Sequence, residues 1–233
     1  MLTNNSTTQN LSIPKKPGAL ADWSYEIIKQ QILDLDIQPG AQLHIEIFAE
    51  KLDVSRTPLR EALQRLASEG LVEIRPRVGY FVSDITEQDI RDLLEIREII
   101  ESRAAHRAAN DLTDKEMEIL KEMNKATKQA VAKGDYNDFL EKEISFHNFL
   151  HKHIENEHLT ALVETLNNLT YRERIISIKS KENVEATVLE HQRIIDALLN
   201  RDADKAAWYM AEHLKNVSDR IVKFLIEKEK IYE

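Results

Sequence analysis

The sequence contains no cysteine, no proline after Pro76 and only one glycine, Gly134, after Gly79. The absence of cysteine excludes disulfide bonds and thiolate metal sites, and it fits a reducing compartment. No run of 18 apolar residues is present, so a transmembrane helix is not expected. Residues 1–18 lack the apolar core of a secretory signal. We therefore expect a cytoplasmic protein that does not engage a membrane.

The turn-forming residues divide the chain unevenly. All five prolines and four of the five glycines lie within the first 79 residues. The remainder has so few breakers that helices are favoured over strands. A chain of 233 residues commonly folds as two domains. We predict a mainly α protein with a flexible arm over 1–19, a first domain over 20–83 and an all-helical domain over 84–233.

The net charge of −9 is also unevenly distributed. Residues 1–83 carry 9 basic and 10 acidic side chains, whereas the remainder carries 23 and 31. The acidic excess therefore belongs to the second domain. Nucleic-acid binding is not excluded, because a near-neutral first domain can still present a local basic face.

The first domain shows the element order of a winged helix-turn-helix. Apolar residues at helical spacing predict a helix over 23–35 and a short second helix over 45–52. A third helix opens at Ser55 or Thr57 and is terminated by Gly70. The alternating segment LVEIRPRVGYFV, with its Pro/Gly-bearing tip, then predicts a two-stranded hairpin.

The third helix has an apolar stripe and an opposite polar face suited to DNA. Arginine can fork onto guanine edges, while hydroxyls and helix-end amides suit phosphates. The basic hairpin tip could reach the minor groove or the backbone. The alternative is an ordinary solvated helix face. The predicted DNA-binding residues are Ser55, Arg56, Thr57, Arg60, Gln64, Arg75, Arg77 and Gly79.

The segment PGAQLHIEIFAEKLDVSRTPLREALQRLASEGLVEIRPRVGYFV resembles the DNA-binding domain of GntR-family bacterial regulators, most specifically in VSRTPLREAL. The helical remainder resembles the FCD ligand-binding domain of the FadR subfamily. The resemblance implies operator contacts from Arg56, Thr57, Arg60 and the Arg77–Gly79 tip. Ile45 departs from the family pattern, which often has an acidic residue there. That departure should affect local packing rather than DNA contact.

The second domain is predicted to be a bundle of about six helices. Thr86 caps the first helix, and Thr113 with Glu116 forms a capping box for the second. Gly134 ends the second helix. The predicted helices run over about 86–109, 113–133, 135–154, 158–178, 181–199 and 202–228.

Several polar side chains fall on the apolar stripes of these helices. Unpaired burial of such groups costs several kcal/mol, on the order of 2–7 even for neutral ones. One carboxylate and three imidazoles suit Zn²⁺, Ni²⁺ or Mn²⁺. Each histidine alone could instead be a hydrogen-bonded core residue, and periodicity does not show convergence. The candidate metal ligands are Glu143, His147, His191 and His213, while His151 and His153 are interpreted as rim or solvent residues.

The resemblance adds an expectation for these ligands. Many FCD domains hold a metal through a DxxFH pattern and two later histidines, and this chain reads EISFH, LEHQRII and MAEHL. Glu143 therefore stands where the family usually has aspartate. FCD effectors are typically small carboxylic acids. The resemblance implies that Arg97 binds the carboxylate of the effector. The alternative for Arg97 is a structural salt bridge, for example to Glu143.

The leading functional prediction is a ligand-responsive transcription regulator, expected to act as a repressor rather than as an enzyme. It is expected to bind palindromic operator DNA as a homodimer, because two-fold symmetry doubles the contact of one winged domain. One alternative is a metal-dependent enzyme within the bundle. Another is a ligand-independent DNA-binding protein whose bundle only dimerises.

Overall fold

The computed structural model describes residues 20–154 and 156–232, so the predicted arm over 1–19 lies outside the described residues. The chain forms two compact units. One holds the described chain up to Ile32 together with Ile37–Ser83. The other holds Leu33–Asp36 and the chain from Asp84 onward. Among the described helices, none combines the length and apolarity that a membrane span requires.

The first unit has the helices and hairpin that the sequence predicts, plus one short strand. That strand, β1, spans only two residues, so it has too few positions to show an alternating pattern. The sheet order is β1-β3-β2, with both pairings antiparallel. The elements are α1 (Leu20–Leu33), β1 (Gln42–Leu43), α2 (Ile45–Leu52), α3 (Arg56–Ser68), β2 (Val72–Arg75) and β3 (Gly79–Val82).

The turn between α2 and α3 orients α3. Asp53 ends α2 in the left-handed region at φ 49°, and Asp53 N and Val54 N donate to carbonyls of α2. The apolar stripe of α3 is fully buried, which fixes its opposite face toward solvent. The buried residues of α3 are Leu59, Ala62, Leu63 and Leu66.

The second unit is helical throughout its described secondary structure. The capping boxes Thr86–Asp89 and Thr113–Glu116 are both present, and Gly134 ends α5 at φ 70°. Helix α6 ends three residues before the predicted Ile154. The helices are α4 (Glu87–Asp111), α5 (Asp114–Lys133), α6 (Tyr136–His151), α7 (Glu157–Ser177), α8 (Lys181–Leu199) and α9 (Ala203–Tyr232).

The most extensive packing in the second unit joins α4 to α9. Small side chains on α4 allow close helix approach, and the facing part of α9 is equally buried. This arrangement places the middle of α4 beside α6, α7 and α9 at the centre of the unit. The buried alanines of α4 are Ala104, Ala105, Ala108 and Ala109.

Candidate functional site

The polar face of α3 is open to solvent. Ser55 precedes the helix as its N-cap but makes no side-chain capping bond, so its hydroxyl is not committed to the helix end. Helical spacing places the longer polar residues on the face opposite the buried stripe. Exposure at all five positions is compatible with DNA contact. The exposed residues are Ser55, Arg56, Thr57, Arg60 and Gln64.

Arg56 has one neighbour of opposite charge on α2. Its Nη2 atom lies 3.6 Å from Glu46 Oε1, and their side chains are 63% and 64% exposed. An ion pair this exposed contributes only ~0–1 kcal/mol. Glu46 therefore offers little competition to a phosphate or a base edge for Arg56.

The hairpin tip separates its two arginines into different environments. Arg77 is exposed and adopts the left-handed region at φ 65°. Arg75 instead pairs with Glu73 at 2.8 Å and lies over the Phe81 ring, 4.1 Å from its centroid. Arg77 is thus the arginine that the wing presents outward, whereas Arg75 packs along the wing.

The close approach of β1 explains the glycine of the wing. Gly79 has φ 143°, and an added Cβ would lie 3.2 Å from Gln42 Nε2. Gln42 Nε2 in turn donates to the Val78 carbonyl at 3.4 Å. A side chain at position 79 would therefore be strained in its backbone and crowded against β1.

In the second unit, four buried side chains from three helices converge. Helix α6 supplies Glu143 and His147 one turn apart, α8 supplies His191 and α9 supplies His213. One potential ligand atom from each lies within 4.8 Å of the others. The structure therefore shows the convergence that periodicity could not establish.

The donor atoms of this cluster fit a divalent metal. The Nε2 atoms of His191 and His213 lie 3.3 Å apart. His147 Nε2 lies 3.1 Å from Glu143 Oε1, yet it is buried without a hydrogen bond of normal geometry among the described residues. A buried, unsatisfied imidazole nitrogen requires a partner. Three imidazoles and one carboxylate are suitable ligands for Zn²⁺, Ni²⁺ or Mn²⁺.

Three charged residues that are not themselves candidate ligands contact the candidate ligands and orient them. Glu101 contacts His147 Nδ1, and Glu190 Oε2 lies 2.8 Å from His213 Nδ1. Arg174 Nη1 donates to Glu143 Oε2. A carboxylate that accepts from Nδ1 fixes the imidazole orientation and leaves Nε2 for a metal. The sequence patterns gave no signal for these three contacts, because each joins a ligand to a residue of another helix.

The pKa values of the cluster follow from burial and these partners. Burial lowers the pKa of His147, but the Glu101 and Glu143 carboxylates outweigh it and leave that pKa raised. Burial and the neighbouring His213 hold the pKa of His191 well below its usual range. Burial raises the pKa of Glu143, but Arg174 and His147 bring it well below its usual range. The carboxylate is therefore ionised and able to act as a ligand.

Arg97 lies beside the cluster, but its ion pairs differ from the prediction. The structural ion pairing that was the alternative for Arg97 is present, but its partner is not Glu143, which pairs with Arg174. Arg97 instead donates from Nε to Glu101 at 2.7 Å and from Nη1 to Glu173 at 2.9 Å. Arg97 Nη2 is buried and has no hydrogen-bond partner among the described residues.

A pocket opens beside Arg97 and the candidate metal ligands. Its cavity volume is about 20 Å³, room for roughly one water molecule. The polar and charged residues of its wall come from α4, α6, α7, α8 and α9. The pocket therefore presents two guanidinium groups and two carboxylates to any occupant. The polar and charged lining residues are Arg97, Glu143, Glu173, Arg174, Ser177, Thr187 and His213.

Three further titratable side chains are largely buried, namely Glu173, His151 and His153. Burial raises the pKa of Glu173 to about 7, even though Arg97 opposes this shift. His151 lies at the rim rather than in solvent, since its side chain is 11% exposed and both ring nitrogens are buried without hydrogen bonds to described residues. His153 is equally enclosed, and its Nε2 lies 3.8 Å from Glu116.

Comparisons with known proteins agree with this architecture. The family described as "Bacterial regulatory proteins, gntR family" matches residues 21–82, and the FCD domain matches residues 92–216. The Escherichia coli HTH-type transcriptional repressor RspR is 30% identical over 84% of this chain and 86% of its own. The Bacillus subtilis HTH-type transcriptional regulator LutR is 27% identical over 79% and 93%.

A solved structure shares the fold. Escherichia coli McbR/YncC aligns over 89% of this chain and 99% of its own, with a TM-score of 0.71 and 22% identity. The matched families and curated relatives are regulators, not enzymes, which confirms the expectation against enzymatic activity. The chain therefore belongs to the GntR family of bacterial regulatory proteins, carries an FCD domain and is a DNA-binding transcription regulator.

Proposed function

We propose that this regulator is a repressor whose operator affinity is set by a small carboxylate bound beside a divalent metal in the FCD domain. The observation that carries the proposal is the convergence of four buried donor side chains beside the unpartnered Nη2 of Arg97. Repression is supported by the similarity to RspR, a transcriptional repressor by name.

The metal would be held by Glu143, His147, His191 and His213. Zn²⁺, Ni²⁺ and Mn²⁺ all accept such a donor set. When bound, the ion would supply a Lewis-acidic position for an oxygen of the effector. The outer partners of the ligands support this assignment, because carboxylate-held imidazoles are typical of metal sites.

The effector is proposed to be a small carboxylic acid that pairs with Arg97. The buried Nη2 donor of Arg97 lacks a partner among the described residues, and the same guanidinium lines the pocket. Arginine matches a carboxylate through two parallel donors. Arg174 lines the same pocket and adds a second positive charge. The carboxylates of Glu143 and Glu173 balance these two charges in the same wall, so the preference for a carboxylate rests on the free Nη2 donor of Arg97.

Operator binding is proposed to involve a homodimer on a palindromic site. The exposed face of α3 would read the major groove, and Arg77 with Gly79 would form the contacting tip of the wing. Arg75, which contacts Glu73 and the Phe81 ring, would place a positive charge near the phosphate backbone of the DNA. Two symmetric domains are needed because one winged domain reads only a few base pairs.

The effector response is proposed to pass along α4. This helix carries Arg97 and begins at Glu87, only a few residues after β3 ends at Val82. An effector can shift operator affinity only by binding two arrangements of the protein differently, typically with ~1–3 kcal/mol of coupling. A displacement of α4 in the bundle would then alter the half-site spacing of the dimer.

Metal content tests the central part of this proposal. The double variant His191→Ala/His213→Ala should lose the bound ion, as measured by elemental analysis of the purified protein. The matched control is His106→Ala/His158→Ala, which removes two histidines outside the cluster and should keep the ion. Unchanged metal content in the first variant would place the ion elsewhere, with His151 as the next candidate.

Operator titration separates the remaining alternatives. Wild-type protein should lose operator affinity when a suitable carboxylic acid is added, in a gel-shift titration with a panel of hydroxy, sugar, keto and amino acids. If DNA binding is specific but no acid changes it, the protein is a ligand-independent DNA-binding dimer. The metal-content experiment remains informative in that case.

A further inference from the structure

Glu101 contacts both the predicted metal site and the predicted effector anchor. Its Oε1 atom accepts a hydrogen bond from Arg97 Nε at 2.7 Å, and its Oε2 atom contacts His147 Nδ1. Glu101 and Arg97 lie one turn apart on α4, while His147 lies on α6. The Glu101 carboxylate is buried, so each oxygen depends on its protein partner rather than on water.

We propose that Glu101 is a positioning residue that couples Arg97 to the metal ligand His147, an inference that rests on the function proposed above. One oxygen fixes the ring of His147 and the other fixes the guanidinium of Arg97. A change in the position of Arg97 therefore changes how His147 presents Nε2 to a metal. Metal binding and carboxylate binding are linked through this residue.

The geometry allows this coupling because the carboxylate is a rigid, planar group. A displacement of Arg97 that moves Oε1 of Glu101 therefore also moves Oε2, which contacts His147. His151 Nε2 lies 3.9 Å from Glu101 Oε1, too far for a hydrogen bond, so Arg97 and His147 are the two close partners that the described residues provide. Removal of one partner from such a buried pair is costly.

Glu190 provides a matched comparison within the same cluster. Its Oε2 atom lies 2.8 Å from His213 Nδ1, so it holds one candidate ligand as Glu101 holds another. Its remaining partners are Arg220, at 2.7 and 2.9 Å, and Asn216 at 3.0 Å. Neither of these partners lines the pocket beside Arg97. Glu190 thus positions a ligand without a connection to the effector anchor.

Linkage between two sites is reciprocal. If Arg97 affects metal affinity through Glu101, then metal binding affects the affinity of Arg97 for a carboxylate by the same factor. The effect of Arg97 on metal affinity must then depend on an intact Glu101. It must not depend on Glu190.

Cobalt binding to the full-length protein tests this dependence. Co²⁺ affinity is measured by chelator competition, and its visible absorption reports the ligand geometry of the site. The single variants are Arg97→Met, Glu101→Gln and Glu190→Gln, and each glutamate variant is also combined with Arg97→Met. Thermal unfolding of the metal-free proteins establishes that each variant is folded.

We expect Glu101→Gln and Glu190→Gln each to weaken Co²⁺ binding by about 10–100-fold. Arg97→Met and Glu101→Gln should be non-additive by about threefold or more in Co²⁺ affinity, as expected for residues in one network. Arg97→Met and Glu190→Gln should be additive. Additivity in both pairs, or wild-type Co²⁺ affinity and absorption in Glu101→Gln, would overturn the proposal.

Two other results have a different meaning from additivity of the variants. If wild-type protein binds no Co²⁺, the proposed metal site itself is wrong, and the positioning role falls with it. If Glu101→Gln does not fold, Glu101→Asp replaces it, because the shorter side chain keeps the charge but cannot reach both partners. Glu101→Asp with wild-type Co²⁺ affinity and spectrum would also overturn the proposal.

Discussion

Arg97 Nη1 donates to Glu173 Oε1 across 2.9 Å, and this buried ion pair joins α4 to α7. Each partner of this ion pair also has one polar atom that makes no hydrogen bond to a described residue. Arg97 Nη2 and Glu173 Oε2 are each buried without a hydrogen-bond partner among the described residues. A carboxylate ligand that binds Arg97 must therefore compete with Glu173 or take the remaining donor. The pair accounts for two measurable properties of the protein.

The first property is a pH dependence of stability. Burial raises the pKa of Glu173 from 4.5 to about 7, so the folded protein binds a proton that the unfolded chain has released. The free energy of unfolding therefore decreases as pH rises from about 4.5 to about 7. Glu173→Gln should remove this contribution and stabilise the protein by about 1–3 kcal/mol at pH 8. Urea denaturation at pH 5 and pH 8 measures the change.

Glu190→Gln is the control, because the pKa of Glu190 is shifted in the opposite direction to that of Glu173. Burial raises the pKa of Glu190, but Arg220 and His213 outweigh it and lower the pKa to about 2. Its contribution is present above about pH 4.5 and is lost as pH falls toward 2. Glu190→Gln should therefore destabilise the protein at pH 8. Equal effects of the two substitutions would contradict the assigned pKa shifts.

The second property concerns the effector response. Arg97→Ala should retain operator binding and lose the response to the acid, because the guanidinium that receives the carboxylate is gone. It also leaves Glu101 and Glu173 buried without their cation, which should cost about 3–5 kcal/mol of stability. Arg97→Lys keeps the charge but not the fork, so it should fold more stably and respond weakly. A wild-type midpoint and amplitude in Arg97→Ala would make Arg97 purely structural.

DNA recognition by α3 predicts a loss on shortening Arg60. Arg60→Ala should weaken operator binding by ~1–3 kcal/mol, the usual value of a base-reading arginine. Arg103→Ala is the matched control, because it removes an exposed arginine from α4 and changes the net charge equally. A gel-shift titration at fixed salt compares the two. If Arg60→Ala and Arg56→Ala both bind as wild type, α3 is not the recognition helix.

The wing predicts a trade-off between stability and affinity. Arg77 adopts φ 65°, a conformation that costs a residue other than glycine about 1–2 kcal/mol. Arg77→Gly should relieve much of that strain and raise the melting temperature. It should also weaken operator binding and reduce the salt slope by about 1. Arg77→Lys should keep both the strain and the salt slope, and unchanged DNA binding in Arg77→Gly would exclude a wing contact.

Sequence patterns predicted the elements better than the interactions. The stripes of α6, α8 and α9 identified the buried histidines, because a polar residue at an apolar position is visible in one helix alone. The partners Glu101, Glu190 and Arg174 were missed, since periodicity shows which face is buried but not what lies opposite. Glu101 is four residues after Arg97, so their helical spacing offered a signal for that one pair.

The alanines of α4 have a mechanical consequence for the domain. Alanine side chains let α4 lie close against the buried residues of α9, and this is the most extensive helix contact of the unit, so we expect α4 and α9 to move together. Arg97 and His213 would then move as one pair, whereas Glu173 and Arg174 belong to α7, which packs less extensively against α4 and α9. Ligand-driven sliding is expected between α7 and that pair. Backbone amides of α7 should accordingly exchange with deuterium faster than those of α4 and α9.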